Sequence, residues 1–467
     1  MAAAVKENGE ITLFAPIMLR VRLIQPQAAT RPMDTSLKVR MAPHLGLLTI
    51  AGIVEEAGHS VEILNENVAP QIPSPDVDLV GISTTVDVLP RAAEIARGYR
   101  RLGIPVVGGG IGVSTDPDYA KPLFDALCIG PAEGHWPRLL KDVEHGRLEA
   151  IYQTASDFPG EDLRAPSFRS ADTSAFLYSN VIATSRGCPF ACDFCYNSAV
   201  AGIGRYCHRT LASVVEEIQS KRTRHIMFID DNFIGDLTFA SELIAAMTPL
   251  RLKWSAAVSA NILDHPDLLD RMRDSGCRSL FIGFESLNAA SVAGVHKGQN
   301  NVSRYEALVE ALHTRGIMVN ASFVFGLDDD DPSVFRTTAD WIIRNRIETM
   351  TAHILTPYPG TAFHKRLAAE GRITDEDLAH YDTAHVVFRP KGMTAQALYD
   401  GYLWIYNEVY SLRNIIRRLP ACRAQRMPYL LFNLFYRKYG KFTERIGNLI
   451  GFSRIGRWGR RLAYRVK

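Results

Sequence analysis

The chain has 467 residues, 47% of them hydrophobic, which exceeds what one core usually serves, so two or three globular domains are expected. Its formal charge of +3 hides an asymmetry: residues 423–467 carry twelve Lys or Arg against the single acid Glu444, a local +11 that leaves −8 on the first 422 residues. Seven unevenly spread cysteines exclude a secreted disulfide scaffold and favour a reducing cytoplasm; the first residues lack the build of a signal peptide, and no run of about 18 apolar residues predicts a membrane span.

Between Ile11 and about Ala150, short apolar runs alternate with amphipathic stretches. "ITLFAP", "HSVEIL", "DLVGIS", "IPVVGGG" and "DALCIG" read as buried strands, and "HLGLLTIAGIVEEAG" and "LPRAAEIARGYRRLG" carry the three-to-four spacing of helices. The pattern predicts an α/β fold that opens with a Rossmann-like, doubly wound parallel sheet over residues 1–150, whose ligands sit beyond the carboxyl ends of the strands. Residues 151–178, rich in Pro, Ser and Gly, read as a linker. Six further strand and helix units begin at "SNVIATS" and predict a closed or partial barrel over 179–370, with a site at its carboxyl ends. Residues 371–467 read as a helical region ending in a basic, aromatic tail, and no repeat or low-complexity tract is found.

Directly after the first barrel strand, "SRGCPFACDFC" spaces Cys188, Cys192 and Cys195 as C-x3-C-x2-C. A structural zinc site usually takes four protein ligands, and no fourth Cys or His stands at a standard spacing, His208 being the closest. A [4Fe–4S] cluster normally takes four thiolates, so three leave one iron open to a substrate or cofactor.

On these residues the chain resembles the radical S-adenosylmethionine (SAM) superfamily, whose signature is this triad with an aromatic residue before the last cysteine, here Phe194. The resemblance implies a [4Fe–4S] cluster on the three cysteines, with SAM chelated at the open iron and cleaved by one electron to a 5′-deoxyadenosyl radical. It also implies a flavodoxin- or ferredoxin-type reductant. "FIDDNF" stands where the family's second strand carries its SAM-facing segment, which makes Asp230 and Asn232 candidate SAM contacts, although Asp230, Asp231 and Asn232 replace a common Gly-Gly-Glu. "FIGFES" is similar to the fourth-strand segment, with Gly283 in it and Glu285 as the candidate ribose ligand. "VFGLDDDDP" and "TPYPGT" look like the ends of the fifth and sixth strands.

The first 150 residues resemble the cobalamin-binding domain fused to many radical SAM enzymes, on "APHLGLLTIAGIVEEAGHSVEIL", "DLVGIS", "VVGGG" and "IGPAEG". Ser83, Thr85, Gly109, Gly110 and Glu133 are the candidate contacts, with His44 a further polar residue on that side. No Asp-x-His-x-x-Gly follows the first strand, so a histidine below the cobalt is not expected; the alternative is a degenerate domain that binds no cobalamin. Only Cys128 lies in this domain, which disfavours the two-cluster methylthiotransferases; Cys207, Cys277 and Cys422 read as structural thiols, with Cys207 near the cluster loop. The tail interleaves aromatics with Arg and Lys, as interfacial helices do on anionic lipid, and no nucleic-acid module accompanies it. Together these imply a radical SAM, cobalamin-dependent C-methyltransferase. It would act on an unactivated carbon of a small-molecule specialised metabolite or a lipid, in the cytoplasm or peripheral to the membrane face. A radical oxidative cyclase or rearranging enzyme, and a non-enzymatic metal-bearing scaffold, are the alternatives.

Overall fold

The computed structural model describes residues 4–7, 10–13, 18–28, 36–155, 158–200 and 206–464. Strands β1 (Arg20–Gln25), β2 (Ser60–Asn65), β3 (Leu79–Ser83), β4 (Val106–Gly109), β5 (Ala126–Ile129) and β6 (Ile151–Gln153) form one parallel sheet in the order β2-β1-β3-β4-β5-β6. Alternate residues of each strand feed two separate cores. Leu23, Leu79, Val107 and Ala126 pack with α1 (Leu45–Glu56) on one face, and Ile24, Val80, Val106 and Leu127 pack with α2 (Leu89–Arg101) on the other. A strand covered on both faces needs an almost unbroken apolar run, which is why these strands are legible. The order reverses between β1 and β3, and a crevice opens at the carboxyl ends of such a switch point.

The first strand departs from expectation. Ile11–Leu13 pair in a short antiparallel hairpin, Glu10–Leu13 against Ala4–Glu7, and residues 14–16 of "ITLFAP" lie outside the described residues. β1 instead starts at Arg20, and its buried Arg22 disguised it. That guanidinium bonds Glu62 at 2.9 Å, Ser74 at 2.7 Å, Tyr99 at 3.0 Å and Asp76 at 3.2 Å, so its charge is matched inside the fold. β6 comes from the stretch read as linker.

Strands β7 (Val181–Ile182), β8 (His225–Phe228), β9 (Lys253–Val258), β10 (Cys277–Glu285), β11 (Met318–Phe325) and β12 (Thr349–Ile354) pair in parallel in sequence order, giving a barrel open between β7 and β12. One face carries the main core, including Phe228, Trp254, Ile282, Phe323 and Ile354. The other face is smaller and more polar, with Met227, Ser255, Ala257, Ser279, Phe281 and Asn320 lining a lumen of about 360 Å³. Residues 371–394, expected as part of a helical region, hold only the 3-10 turn Leu378–His380 and a bridge between Ile373 and Phe388; the helices start at Ala395. Pro390, Gly392 and the Asx turns at Asp375 and Asp377 oppose a helix there. Leu378, Tyr381 and Val387 from this segment bury themselves in the core of the first sheet and clasp the two units together.

The open edge at β12 is sealed by α3 (Ala395–Val409) and the residue after it. Tyr406 Oη donates to the Ala352 carbonyl at 3.1 Å and accepts from its N–H at 2.9 Å; one turn on, Tyr410 does the same to Met350 at 2.7 and 3.0 Å. Two phenols four residues apart thus satisfy the groups that an unpaired strand leaves free. α4 (Arg423–Tyr436) plugs the amino-terminal end of the lumen with Pro428, Tyr429 and Phe432, and α5 (Lys441–Ile450) and α6 (Phe452–Tyr464) pack beside it. Tyr406→Phe and Tyr410→Phe each strand a buried N–H and C=O. Each is expected to cost about 1–3 kcal/mol, read as a lower urea midpoint, with Tyr399→Phe, which makes no such bonds, as the unchanged control.

Candidate active site

The cysteine loop leaves β7 through a two-residue hairpin, Ser185–Arg186 against Cys207–His208, and turns at Gly187, whose φ is 75°. Its root is held by Asp230 at the end of β8. One carboxylate oxygen accepts from the Thr184 N–H at 2.8 Å, Thr184 Oγ1 at 2.8 Å, the Ser185 N–H at 2.6 Å and Ser185 Oγ at 2.5 Å, while the other is buried with no partner. Further along, the Asp193 N–H donates to Val295 O at 3.2 Å, its carbonyl accepts from Phe363 N–H at 3.1 Å, and its carboxylate meets His296 Nδ1 at 2.8 Å. Phe194 is half-buried and packs against the main core, which anchors the loop. Ser198 Oγ closes the turn on the carbonyls of Cys192 at 2.8 Å and Cys195 at 2.6 Å.

Within this loop burial pushes the Cys195 thiol up to about 12 and raises Cys188 as well, with the neighbouring cysteines adding to both. Metal binding must therefore drive the protons off. Among the described residues no three His, Cys, Asp or Glu side chains converge as ligands of a single ion. Thiols that each hold a different iron of a cube have no need to. Gln299 Nε2 lies 3.5 Å from Cys192 Sγ, and the buried Lys297 ammonium, whose charge burial opposes and Glu285 favours, bonds Glu285. Glu285 sits at φ 64° beyond a register shift in β10, and a side chain at Gly283 would fall on the Glu285–Lys297 pair. Gly283 thus makes room for an ion pair. Asn232 exchanges bonds with Ser259 at 3.2 and 3.3 Å, one at each end of its amide, and ties the loop after β8 to the end of β9. Asn320 Oδ1, in the lumen, is buried without a partner, as is Thr351 Oγ1, the kind of unfilled demand that a ligand in the lumen meets.

At the switch point of the first sheet a cleft opens against the other side of the same loop. Its walls include His44, Ser83, Gly110 and Glu133 from the first unit and Arg186, Gly187 and Asn197 from the cysteine loop. His44 Nδ1 accepts from the Leu47 N–H at 3.2 Å and caps α1, which leaves Nε2 to donate to Ser83 Oγ at 3.1 Å. Thr85 does not reach the cleft: its hydroxyl donates to Asp87 at 2.5 Å, and it is Thr84, one residue earlier, that is buried against Gly109 O at 2.9 Å. The glycines do not all leave open space. The place of a side chain at Gly108 is filled by the Phe124 ring and that at Gly109 is met by Cys128. At Gly110, φ 93°, a Cβ would stand 2.6 Å from Thr84 O. Of these three glycines, Gly110 is the one that borders the cleft. Lys297, Gln299, Arg186 and Asn197 were not assigned roles from the sequence; Arg186 and Asn197 flank the cysteine spacing without being part of it, and Lys297 and Gln299 sit in a loop that carries no pattern.

Residues 182–342 match the radical SAM superfamily, residues 40–140 the B12 binding domain, and residues 361–429 a domain of unknown function (DUF4070). The chain is 30% identical over 411 residues to the bacteriochlorophyllide d C-12(1)-methyltransferase of Chlorobaculum tepidum, covering 85% of this chain and 89% of that one. It belongs to the cobalamin-dependent radical SAM enzymes. The hopanoid C-2 methylase of Rhodopseudomonas palustris is 26% identical over 72% of this chain and 66% of its own. The fold is that of TsrM from Kitasatospora setae, a radical SAM methyltransferase solved with cobalamin and a [4Fe–4S] cluster, at a TM-score of 0.60 and 21% identity over 76% of this chain and 75% of that one.

The radical SAM enzyme therefore takes a [4Fe–4S] cluster, SAM and cobalamin, and its residues fit them: three thiols on one pinned loop, unfilled polar groups in the lumen, and a cleft shared by both domains. Burial lowers His44 and His135 to about 4 and His225 to about 3 from the ordinary 6.5. The unfolded chain takes up these protons below pH 6.5 and the folded one does so only near pH 3–4, so stability is full above 6.5 and falls as the pH drops. The thermal midpoint should decline from pH 7.5 to 5, and less steeply in His44→Gln; a flat profile contradicts this assignment.

Proposed function

We propose that the enzyme is a C-methyltransferase acting on an unactivated carbon of a hydrophobic specialised metabolite or lipid. The observation that carries the reading is the single loop with two working sides: Lys297 and Gln299 approach its cysteines from the barrel, and Arg186, Gly187 and Asn197 wall the cleft of the B12-binding domain. When bound, the cluster, SAM and cobalamin supply one-electron chemistry and a methyl group at a carbon with no nucleophilic character.

The chain's own residues hold and exclude. Cys188, Cys192 and Cys195 hold the cluster, Asp230 and Asp193 fix their loop, and the Glu285–Lys297 pair presents a carboxylate and an ammonium at the end of β10 toward SAM. Ser83, His44, Gly110 and Glu133 form the cobalamin side of the cleft, with the neutral His44 holding Ser83 in place. Met227, Ala257 and Phe281 give the lumen an apolar wall that keeps water from the reacting carbon. Relatives named as methyltransferases of a bacteriochlorophyllide and a hopanoid support a hydrophobic substrate. No helix among the described residues is long and apolar enough to cross a membrane, and the +11 tail supports peripheral contact with an anionic membrane face. A flavodoxin- or ferredoxin-type protein is the proposed reductant.

Anaerobically reconstituted protein supplied with SAM, a reductant and hydrophobic substrate pools should form S-adenosylhomocysteine together with 5′-deoxyadenosine, and a methylated product found by mass spectrometry. Formation of 5′-deoxyadenosine without S-adenosylhomocysteine points instead to a cyclase. Cys192→Ala should bind less iron and bring both products to background; full activity in that variant contradicts the reading.

A further inference from the structure

On the far side of the barrel from the cysteine loop, at the feet of β7 and β8, lies a polar pocket of about 320 Å³. Lys221 and Arg222 reach it from the turn before β8, and Arg457, Arg460 and Arg461 reach it from one face of α6, with Ser179 and Thr223 between them. Among the described residues five cationic side chains line it and no carboxylate does. Among the described residues the acid paired with Lys221 is Glu217, at 3.4 Å, and it is already held by Arg209 at 2.5 Å. Arg460 is fixed in place, donating to Leu177 O at 3.0 Å and lying 5.3 Å over the Tyr178 ring. Burial works against the charge of both Lys221 and Arg460, and with Arg222, Arg457 and Arg461 exposed beside them the pocket concentrates like charge at the surface, which an anion neutralises.

Leu177 and Arg460 are shared with an apolar cleft of about 160 Å³ among Met41, Pro428, Leu431 and Phe435. The two helices that supply Thr443 and Ile455 to this cleft, α5 and α6, also hold Phe442, Leu449, Trp458 and Leu462 out to solvent, from 55% to 84% exposed. An anion pocket that shares lining residues with an apolar cleft, on helices that also expose aromatic and aliphatic side chains and arginines, has the chemistry to hold an anionic amphiphile at an interface.

We infer that this composite site binds one anionic phospholipid, its phosphate among Arg457, Arg460, Arg461, Arg222 and Lys221 and one acyl chain in the adjoining cleft, docking the enzyme with the amino-terminal end of its barrel toward the membrane. The inference rests on the proposed membrane contact of the basic tail and adds to it a single defined lipid site.

Two measurements on the full chain separate the two claims. Flotation with vesicles of phosphatidylcholine alone, or of equal parts phosphatidylcholine and phosphatidylglycerol, tests the contact; binding only to the anionic vesicles is expected, and no binding to either overturns both claims. Titration with monomeric dihexanoyl phosphatidylglycerol, read by thermal midpoint and Trp fluorescence, tests the site. The lipid should stabilise the protein, and Arg457→Gln with Arg461→Gln should weaken its binding about tenfold or more, whereas Arg445→Gln with Arg454→Gln, off the pocket, should leave it within about twofold. A lipid effect that is absent, or that survives the pocket variant while anionic vesicles still bind, overturns the site and keeps the membrane contact. Equal stabilisation by inorganic phosphate makes the pocket a plain anion site and overturns the lipid assignment.

Discussion

The grip of Asp230 on the backbone and hydroxyls of Thr184 and Ser185 is the contact on which the rest of the site depends. A carboxylate buried at the end of β8 receives four donors from the root of the cysteine loop, and so fixes where that loop starts relative to the barrel. The loop then serves two chambers. Its cysteines face Gln299 and Lys297 in the barrel mouth, and its first residues wall the cleft of the B12-binding domain. Displacing the root would move both walls together, which links the chemistry of two bound cofactors to one side chain that need touch neither.

The arrangement also requires the two domains to keep their relative position. The segment after the barrel supplies this by burying Leu378, Tyr381 and Val387 in the core of the first sheet, and Asp328, just past β11, holds that segment through Arg372 and Lys391 and the helix before it through Arg366. The acidic run "LDDDDP" is therefore divided: Asp328 clasps the C-terminal segment, while Asp330 accepts from the Gly326 and Leu327 N–H groups at 3.1 Å and shapes its own turn. An open barrel presents an unpaired strand at β12, and the paired phenols of Tyr406 and Tyr410 close it with hydrogen bonds in place of another strand.

Much of this was legible because burial on both faces, or on one face of a helix, leaves a periodic mark in sequence. Four of the six strands of the first sheet, β2 to β5, stood out as apolar runs; β1 did not, because Arg22 is buried by pairing with four partners distant in sequence, which no local pattern records, and β6 did not, because it is a three-residue edge strand with only Tyr152 buried. The three cysteines were legible because a ligand set confined to one short loop keeps a fixed spacing. Lys297, Arg186 and Asn197 were not, since their positions are set by how loops meet in the fold. Thr85 and Gly109 mark the limit of strand-end reading: one residue of register decides whether a side chain faces the cleft or the protein, and here Thr85 turns to Asp87 and Gly109 abuts Cys128.

The central claim is that one loop places an iron–sulfur cluster and a corrin on its opposite sides. Anomalous diffraction at the iron and cobalt edges, from crystals of the anaerobically reconstituted enzyme, tests it directly. The account predicts iron within bonding reach of Cys188, Cys192 and Cys195, and cobalt in the cleft bounded by Ser83, Gly110 and Glu133 on one side and Arg186 and Asn197 on the other. Zinc at the cysteines, or cobalt outside that cleft, would contradict it.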